Sequence, residues 1–202
     1  MQKKTLVLSL VAIAALLLLQ DSGDDEDDPS YEAPDLIDQA SALWDDLTEG
    51  GEMSLSEQQN VMAFLMTIRV SEGTSGDDGY SILVGGQHFD GYADHPRVLV
   101  YLPNLGIKSS AAGAYQILRR TWDSVAAKLG LTDFSPASQD RAAVELIRQR
   151  GALADVRAGR FAVAVDKCKK EWASLPGAGY GQRENSLARL QAAYVNAGGN
   201  LA

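Results

Sequence analysis

Residues 54–74 read SLSEQQNVMAFLMTIRVSEGT. Ser54 followed three residues later by Glu57 is a capping box: the serine hydroxyl accepts from an orphan N–H of the first turn, and the glutamate reaches back to the serine N–H. A helix is predicted to start there. Val61, Phe64, Leu65 and Ile68 recur at helical spacing and mark its buried side. Gly73 is a natural stop, because glycine enters the left-handed conformation that closes a helix. Glu72 therefore falls in the last helical turn.

Downstream, the glycine-rich stretch 76–87 holds Tyr80-Ser81-Ile82-Leu83-Val84 before Gly85-Gly86 and reads as a small hairpin. Helical patterns follow near 114–129, 138–150, 159–172 and 184–197, with Gly151 and Gly198 as stops for two of them. No internal repeat is visible. The body, residues 54–202, is thus α+β and mostly helical with one small sheet.

Upstream, the chain changes character. Residues 5–19 (TLVLSLVAIAALLLL) are apolar and uncharged, preceded by Lys3 and Lys4. As a helix they span ~22 Å against a hydrocarbon core of ~30 Å. The run ends in Leu17-Leu18-Leu19-Gln20, a poor match to a small-residue cleavage site. Residues 1–20 are read as an uncleaved membrane anchor, with cleavage or later release left open. The two lysines predict a cytoplasmic N-terminus, and everything after Gln20 across the membrane, facing the periplasm in a bacterium. Residues 21–53 form an acidic tether with one amphipathic helix from about Pro34 to Thr48, built on Leu36, Ile37, Ala40, Leu43, Trp44 and Leu47.

The formal net charge of −9 hides this split. Residues 21–60 hold 14 acidic and no basic residues, whereas residues 61–202 hold 13 acidic and 16 basic ones. The overall charge excludes a dedicated nucleic-acid binder, and the mildly basic body suits an anionic polymer or surface. One cysteine excludes an internal disulfide framework. Two histidines, His88 and His95, without cysteine or carboxylate at ligand spacing, exclude a metal site. Asp94-His95-Pro96-Arg97 is read as a loop fixed by hydrogen bonds. Cys168, Trp122 and Trp172 are read as core.

Glu72 is the candidate for chemistry; by position alone it reads as a solvated helix-end carboxylate or as a proton donor. The end of a helix bears partial negative charge, and partial burial adds to it; both raise a carboxyl pKa. A glutamic acid protonated near neutral pH is what a glycosidase needs to protonate a leaving oxygen. By spacing alone Tyr115 is core, Gln116 a capping contact, and 177–182 a glycine-rich turn.

A helix ending in Glu, a small hairpin, then a helical body is the layout of the lysozyme superfamily. From about Val61 to Gly199 the chain closely resembles phage-type endolysins of the peptidoglycan lytic transglycosylase family. The resemblance rests on Ser71-Glu72-Gly73-Thr74, Gly79-Tyr80, Val84-Gly85-Gly86, Asp94-His95-Pro96-Arg97, Tyr115-Gln116, Asp133-Phe134-Ser135-Pro136, Ser138-Gln139-Asp140 and Arg150-Gly151-Ala152-Leu153. Its longest run is Trp172 to Gln182, WASLPGAGYGQ. It implies that Glu72 is the catalytic acid, that Gly113, Tyr115 and Gln116 line the saccharide cleft, and that Gly179, Tyr180 and Gln182 lie on a loop across it. It further implies a monomeric catalytic domain acting on peptidoglycan glycan strands without a cofactor. The chain departs from the family pattern in a shorter segment between Thr74 and Tyr80 and in Ala114, which replaces a basic residue. Residues 1–60 have no counterpart in the pattern.

A lytic transglycosylase manages with one acid. A muramidase needs a second carboxylate, for which Asp77, Asp78, Asp90 and Asp94 are the candidates. A non-catalytic wall-binding membrane protein is the third reading. The anchor fits an enzyme held on the host inner membrane or a virion membrane, acting in lysis or in wall opening during infection.

Overall fold

A computed structural model of the chain describes residues 53–76, 78–179 and 184–202. The helix expected after Ser54 runs from Leu55 to Glu72 and is α1. Its capping box is complete: Ser54 Oγ accepts from the Glu57 N–H at 3.3 Å, and Glu57 Oε2 accepts from the Ser54 N–H at 2.9 Å. Gly73 closes it at φ 77°, and the Thr74 N–H then donates to the Arg69 carbonyl. The buried residues of α1 are the four expected ones plus Asn60, Ala63, Thr67 and Ser71. They cover more than one stripe, so α1 is a central helix rather than a surface one.

The 3₁₀ turn Gly79–Ser81 follows. The regular sheet is a two-stranded antiparallel hairpin, β1 (Val100–Leu102) and β2 (Ile107–Ser109), with Tyr101 opposite Lys108. The helices are α2 (Arg119–Leu129), α3 (Pro136–Gln149), α4 (Leu153–Arg157), α5 (Phe161–Cys168) and α6 (Leu187–Asn196). Residues Met53–Ala202 form one compact unit, in which α1 packs chiefly on α6 and α4 and α2 pairs with α3.

Two aromatic groups fill the core. Phe161 stands edge-on to Phe64 and lies 4.9 Å from Tyr194, joining α1, α5 and α6. Phe134 gathers Trp122, His95 and Phe89 around it, which joins α2 to the long 82–99 segment. Trp122, Trp172 and Cys168 are buried, as read from the sequence.

Three expectations need correction. The hairpin expected within 76–87 is a tight turn with one bridge, Ile82 to His88, and the sheet lies at 100–109 instead. Gly85 and Gly86 both adopt positive φ and turn the chain before a ladder can grow, whereas Val100–Leu102, a β-branched and aromatic run, is what pairs. The helix expected from 114 begins at Arg119, because Ala112 and Ile117 exchange both backbone hydrogen bonds and close residues 113–116 into a turn, with Gln116 at φ 47°. The helical pattern at 159–172 stops at Cys168, and α4 is an additional short helix after Gly151. The segments at 5–19, 21–52 and 34–48 lie outside the described residues. Among the described residues no helix is long and apolar enough to cross a membrane.

The 113–116 turn is held by Gln139, a fully buried amide on α3. Its Oε1 accepts from the Ala114 N–H at 2.9 Å, and its Nε2 donates to the carbonyls of Tyr80 and Phe134. Gly113, at φ 76°, is required here: a Cβ would stand 2.1 Å from Gln139 Oε1. Gly130 shares the left-handed conformation but faces open space. Gly130→Ala is expected to cost about 1 kcal/mol, the backbone penalty alone. Gly113→Ala is expected to cost at least about 2 kcal/mol more, because the amide must be displaced. Urea unfolding of the two variants measures the difference.

Candidate active site

Glu72 is the last residue of α1, half-buried. Its Oε1 accepts a hydrogen bond from Ser174 Oγ at 2.6 Å, across 102 residues of chain. Burial is the larger influence on the carboxyl and raises its pKa above the ordinary value; the serine bond pulls the other way. A carboxyl in this setting keeps its proton to higher pH than an exposed one, as a proton donor requires.

The loop after Glu72 is fastened on two sides. Thr74, itself buried, donates its hydroxyl to the Ala114 carbonyl at 2.6 Å, bringing the 113–116 turn beside the end of α1. Arg69, one turn before Glu72, donates to the carbonyls of Thr74 and Gly76. Its guanidinium also stacks over the Tyr80 ring at 4.6 Å. Tyr80 and Tyr115 both donate their hydroxyls to Asp140 Oδ1, at 2.8 and 2.6 Å. Burial pushes Asp140 up to about 6, against the two tyrosine bonds and Arg69.

The sequence-predicted site residues divide. Tyr115 and Gly113 are both buried. Tyr115 turns its ring inward because Asp140 takes its hydroxyl, and its carbonyl accepts from Trp172 Nε1 at 3.0 Å. Gly113 is occupied by its packing on Gln139. Gln116 is half-buried, and its Nε2 donates to the Gly113 and Ile82 carbonyls, so its amide nitrogen serves its own turn. Gly179 is exposed, and its N–H and that of Gly177 both donate to the Glu184 carboxylate, which shapes the stretch after Pro176. Tyr180, Gln182 and Asp77 lie outside the described residues.

His95 is a loop anchor, as read: Nε2 meets the Ile117 carbonyl at 2.9 Å and Nδ1 accepts from the Arg97 N–H, while burial holds its pKa low. Asp94 accepts from Arg97, the His95 N–H and Trp122 Nε1 and is held below the usual carboxylate range, chiefly by Arg97. Asp78 pairs with His88, and Asp90 is exposed. No group of three His, Cys, Asp or Glu side chains able to hold a metal ion occurs among the described residues.

The residues that sequence reasoning missed are those behind the acid: Ser71, Ser174, Asn185, Asp140 and Arg69. Ser71 and Ser174 stand inside quoted motifs, Ser-Glu-Gly-Thr and the 172–182 run. Their partners, however, lie more than a hundred residues apart, and no spacing rule reaches that far.

A mostly helical domain with one two-stranded hairpin, and a half-buried glutamic acid ending its central helix, is of the lysozyme-like class. Comparison with known proteins specifies it. The endolysin family matches residues 62–201. The endolysin of Escherichia phage P2 is 46% identical over 159 residues, covering 72% of this chain and 96% of that protein. The endolysin of Escherichia phage lambda is 48% identical over 145 residues, covering 69% and 91%. Among solved structures, bacteriophage lambda lysozyme complexed with a chitohexasaccharide matches with a TM-score of 0.68 at 45% identity, covering 71% of this chain and 97% of that one. A second structure of that lysozyme matches with a TM-score of 0.65. This chain belongs to the endolysin family.

Asp140 supplies a test of the scaffold. Between its ordinary 3.8 and about 6, the folded protein keeps a proton that the unfolded chain has released. Its contribution is therefore fully present below about 3.8 and lost as pH rises through about 6, a loss on the order of 3 kcal/mol. Asp140→Asn removes this titration. The unfolding free energy of wild type minus that of the variant, measured in urea from about pH 4 to pH 7, is expected to decline with rising pH and then level off.

Proposed function

We propose that this endolysin is a peptidoglycan lytic transglycosylase. Glu72 protonates the oxygen linking N-acetylmuramic acid to N-acetylglucosamine. The muramic residue develops oxocarbenium character, which its own N-acetyl group stabilises. Glu72, now a carboxylate, takes the proton from that sugar's C6 hydroxyl as O6 attacks C1. A 1,6-anhydro ring closes, one proton has moved through Glu72 in each direction, and no water is consumed.

The observation that carries this reading is the half-buried Glu72 carboxyl, raised in pKa and met by one neutral hydroxyl. What favours it over a water-using muramidase is the state of two of the four candidate carboxylates. Asp94 is committed to Arg97, His95 and Trp122, and Asp78 to His88; a carboxylate lowered by a guanidinium is a poor base for water. The lambda lysozyme structure with a chitohexasaccharide supports a β-1,4-linked glycan as the ligand class. The saccharide contacts proposed for this chain are Gln116 and the stretch from Gly179 through Tyr180 to Gln182. Residues 5–19 stay the proposed attachment to the membrane, with the domain facing the wall.

Digestion of purified sacculi with the full chain, read by mass spectrometry, is the test. Muropeptides lighter by one water and without a reducing end are expected, and reducing muramic ends would instead establish a muramidase. Glu72→Gln is expected to abolish product, by at least about 10³-fold. Activity is expected to fall as pH rises through the raised pKa of Glu72, because the acid must start protonated.

A further inference from the structure

Behind Glu72 lies a line of polar groups drawn from three parts of the fold. Ser174 Oγ donates to Glu72 Oε1 at 2.6 Å. Ser71 Oγ stands 2.7 Å from Ser174 Oγ, and both serines are buried. Asn185 Nδ2, just ahead of α6, reaches Ser71 Oγ at 3.2 Å and the carbonyls of Ser71 and Ser174. Arg189, on α6, donates from Nη1 to Asn185 Oδ1 at 3.0 Å. The Asn185 N–H also donates to the Ser174 carbonyl at 2.9 Å, so amide and serine are held together by backbone as well.

The proton inventory sets a direction. A guanidinium only donates, so the atom of Asn185 that meets Arg189 is the oxygen, and the amide nitrogen must face the serines. That nitrogen only donates, so Ser71 Oγ accepts from it and its single proton is left to point at Ser174. Ser174 then accepts from Ser71 and sends its own proton to Glu72. Each hydroxyl that accepts and donates in series is polarised by the one before it.

We infer that Ser174, Ser71 and Asn185 are positioning residues for Glu72, forming a one-way hydrogen-bond chain that commits Oε1 to the protein and leaves Oε2 as the oxygen that carries the proton to the glycan and receives it back. The inference rests on Glu72 being the acid of the proposed reaction. The chain does two things for an acid that must next act as a base. It fixes the carboxyl rotamer, so the proton sits on the oxygen turned away from Ser174. It also stabilises the carboxylate left after proton donation, against the burial that favours the neutral form. Among the described residues, charged groups on the neighbouring segments have partners of their own. Arg69, on α1, serves the carbonyls of Thr74 and Gly76, and Glu171 pairs with Arg150. Glu184 holds the Gly177 and Gly179 N–H groups, Asp78 pairs with His88, and Arg189 ends on Asn185.

The test is the pH profile of the full chain on sacculi, together with the ¹³C NMR titration of its labelled glutamate carboxyls, which reads Glu72 without activity. In Ser174→Ala the alkaline limb of kcat and the Glu72 titration are expected to move up together by about one pH unit, since one charge-assisted hydrogen bond is lost. At the wild-type optimum kcat is expected to fall about tenfold with KM within about twofold, because the glycan contacts are untouched. Ser71→Ala is expected to shift both readouts in the same direction by less, and Ser71→Ala with Ser174→Ala no further than Ser174→Ala alone. An unmoved titration in Ser174→Ala would overturn the proposal. A Ser71→Ala protein identical to wild type would overturn the chain by reducing it to one bond. Glu72→Gln separates the two levels: if it retains activity the proposed reaction falls, whereas an inactive Glu72→Gln beside an unshifted Ser174→Ala removes the chain alone.

Discussion

Glu72 ends a helix that the rest of the domain surrounds, and that position imposes the constraint the other parts answer. A carboxyl there is desolvated by its neighbours and faces the negative end of the α1 dipole, so its charged form is disfavoured twice. In the proposed reaction the acid must nonetheless pass through the charged form. Relief comes from a neutral donor, Ser174, rather than from a cation. A lysine or arginine at that distance would hold the carboxyl ionised and leave it without a proton to give.

The surrounding scaffold is built from consecutive residues of α3 with different duties. Gln139 spends its oxygen and both amide protons on three chain segments, the 113–116 turn, the Gly79–Ser81 turn and the loop before α3. Asp140, the next residue, draws the hydroxyls of Tyr80 and Tyr115 to one oxygen. Tyr115 then passes the order on, since its carbonyl fixes Trp172, two residues before Ser174. A buried network of this kind is useful only when every member is satisfied, because an unpaired polar group at such depth costs about 1–3 kcal/mol. The same logic accounts for Gly113: its hydrogen side chain is what lets the Gln139 amide approach the turn.

Much of the architecture was legible in residue order. The capping box at Ser54 and Glu57, the apolar spacing through Ile68 and the stop at Gly73 define α1 to the residue, because caps and periodicity are local physics. His95 as a loop anchor and Cys168, Trp122 and Trp172 as core were legible in the sequence as well. An apolar run before a glycine pair reads as a hairpin, whereas Gly85 and Gly86 at positive φ end pairing after one bridge. The late start of α2 was hidden because nothing local forbids helix at 114–118; the turn is imposed by Gln139 and Thr74 from elsewhere in the fold.

By itself the sequence determined the central helix, the position of a single glutamic acid at its end, the family, and the sharp charge difference between residues 21–60 and the body. The helix and the place of the glutamic acid follow from short-range rules: which residue caps, which face is apolar, where a helix stops; the family follows from the resemblance of motifs along residues 61–199. Only the tertiary structure decided what surrounds that acid. Ser174 lies 102 residues from Glu72, and Asn185 lies 114 from Ser71. Hydrogen bonds act over about 3 Å, and residues so far apart in the chain come within that reach only when the packing of α1 against α6 has been settled by the whole core.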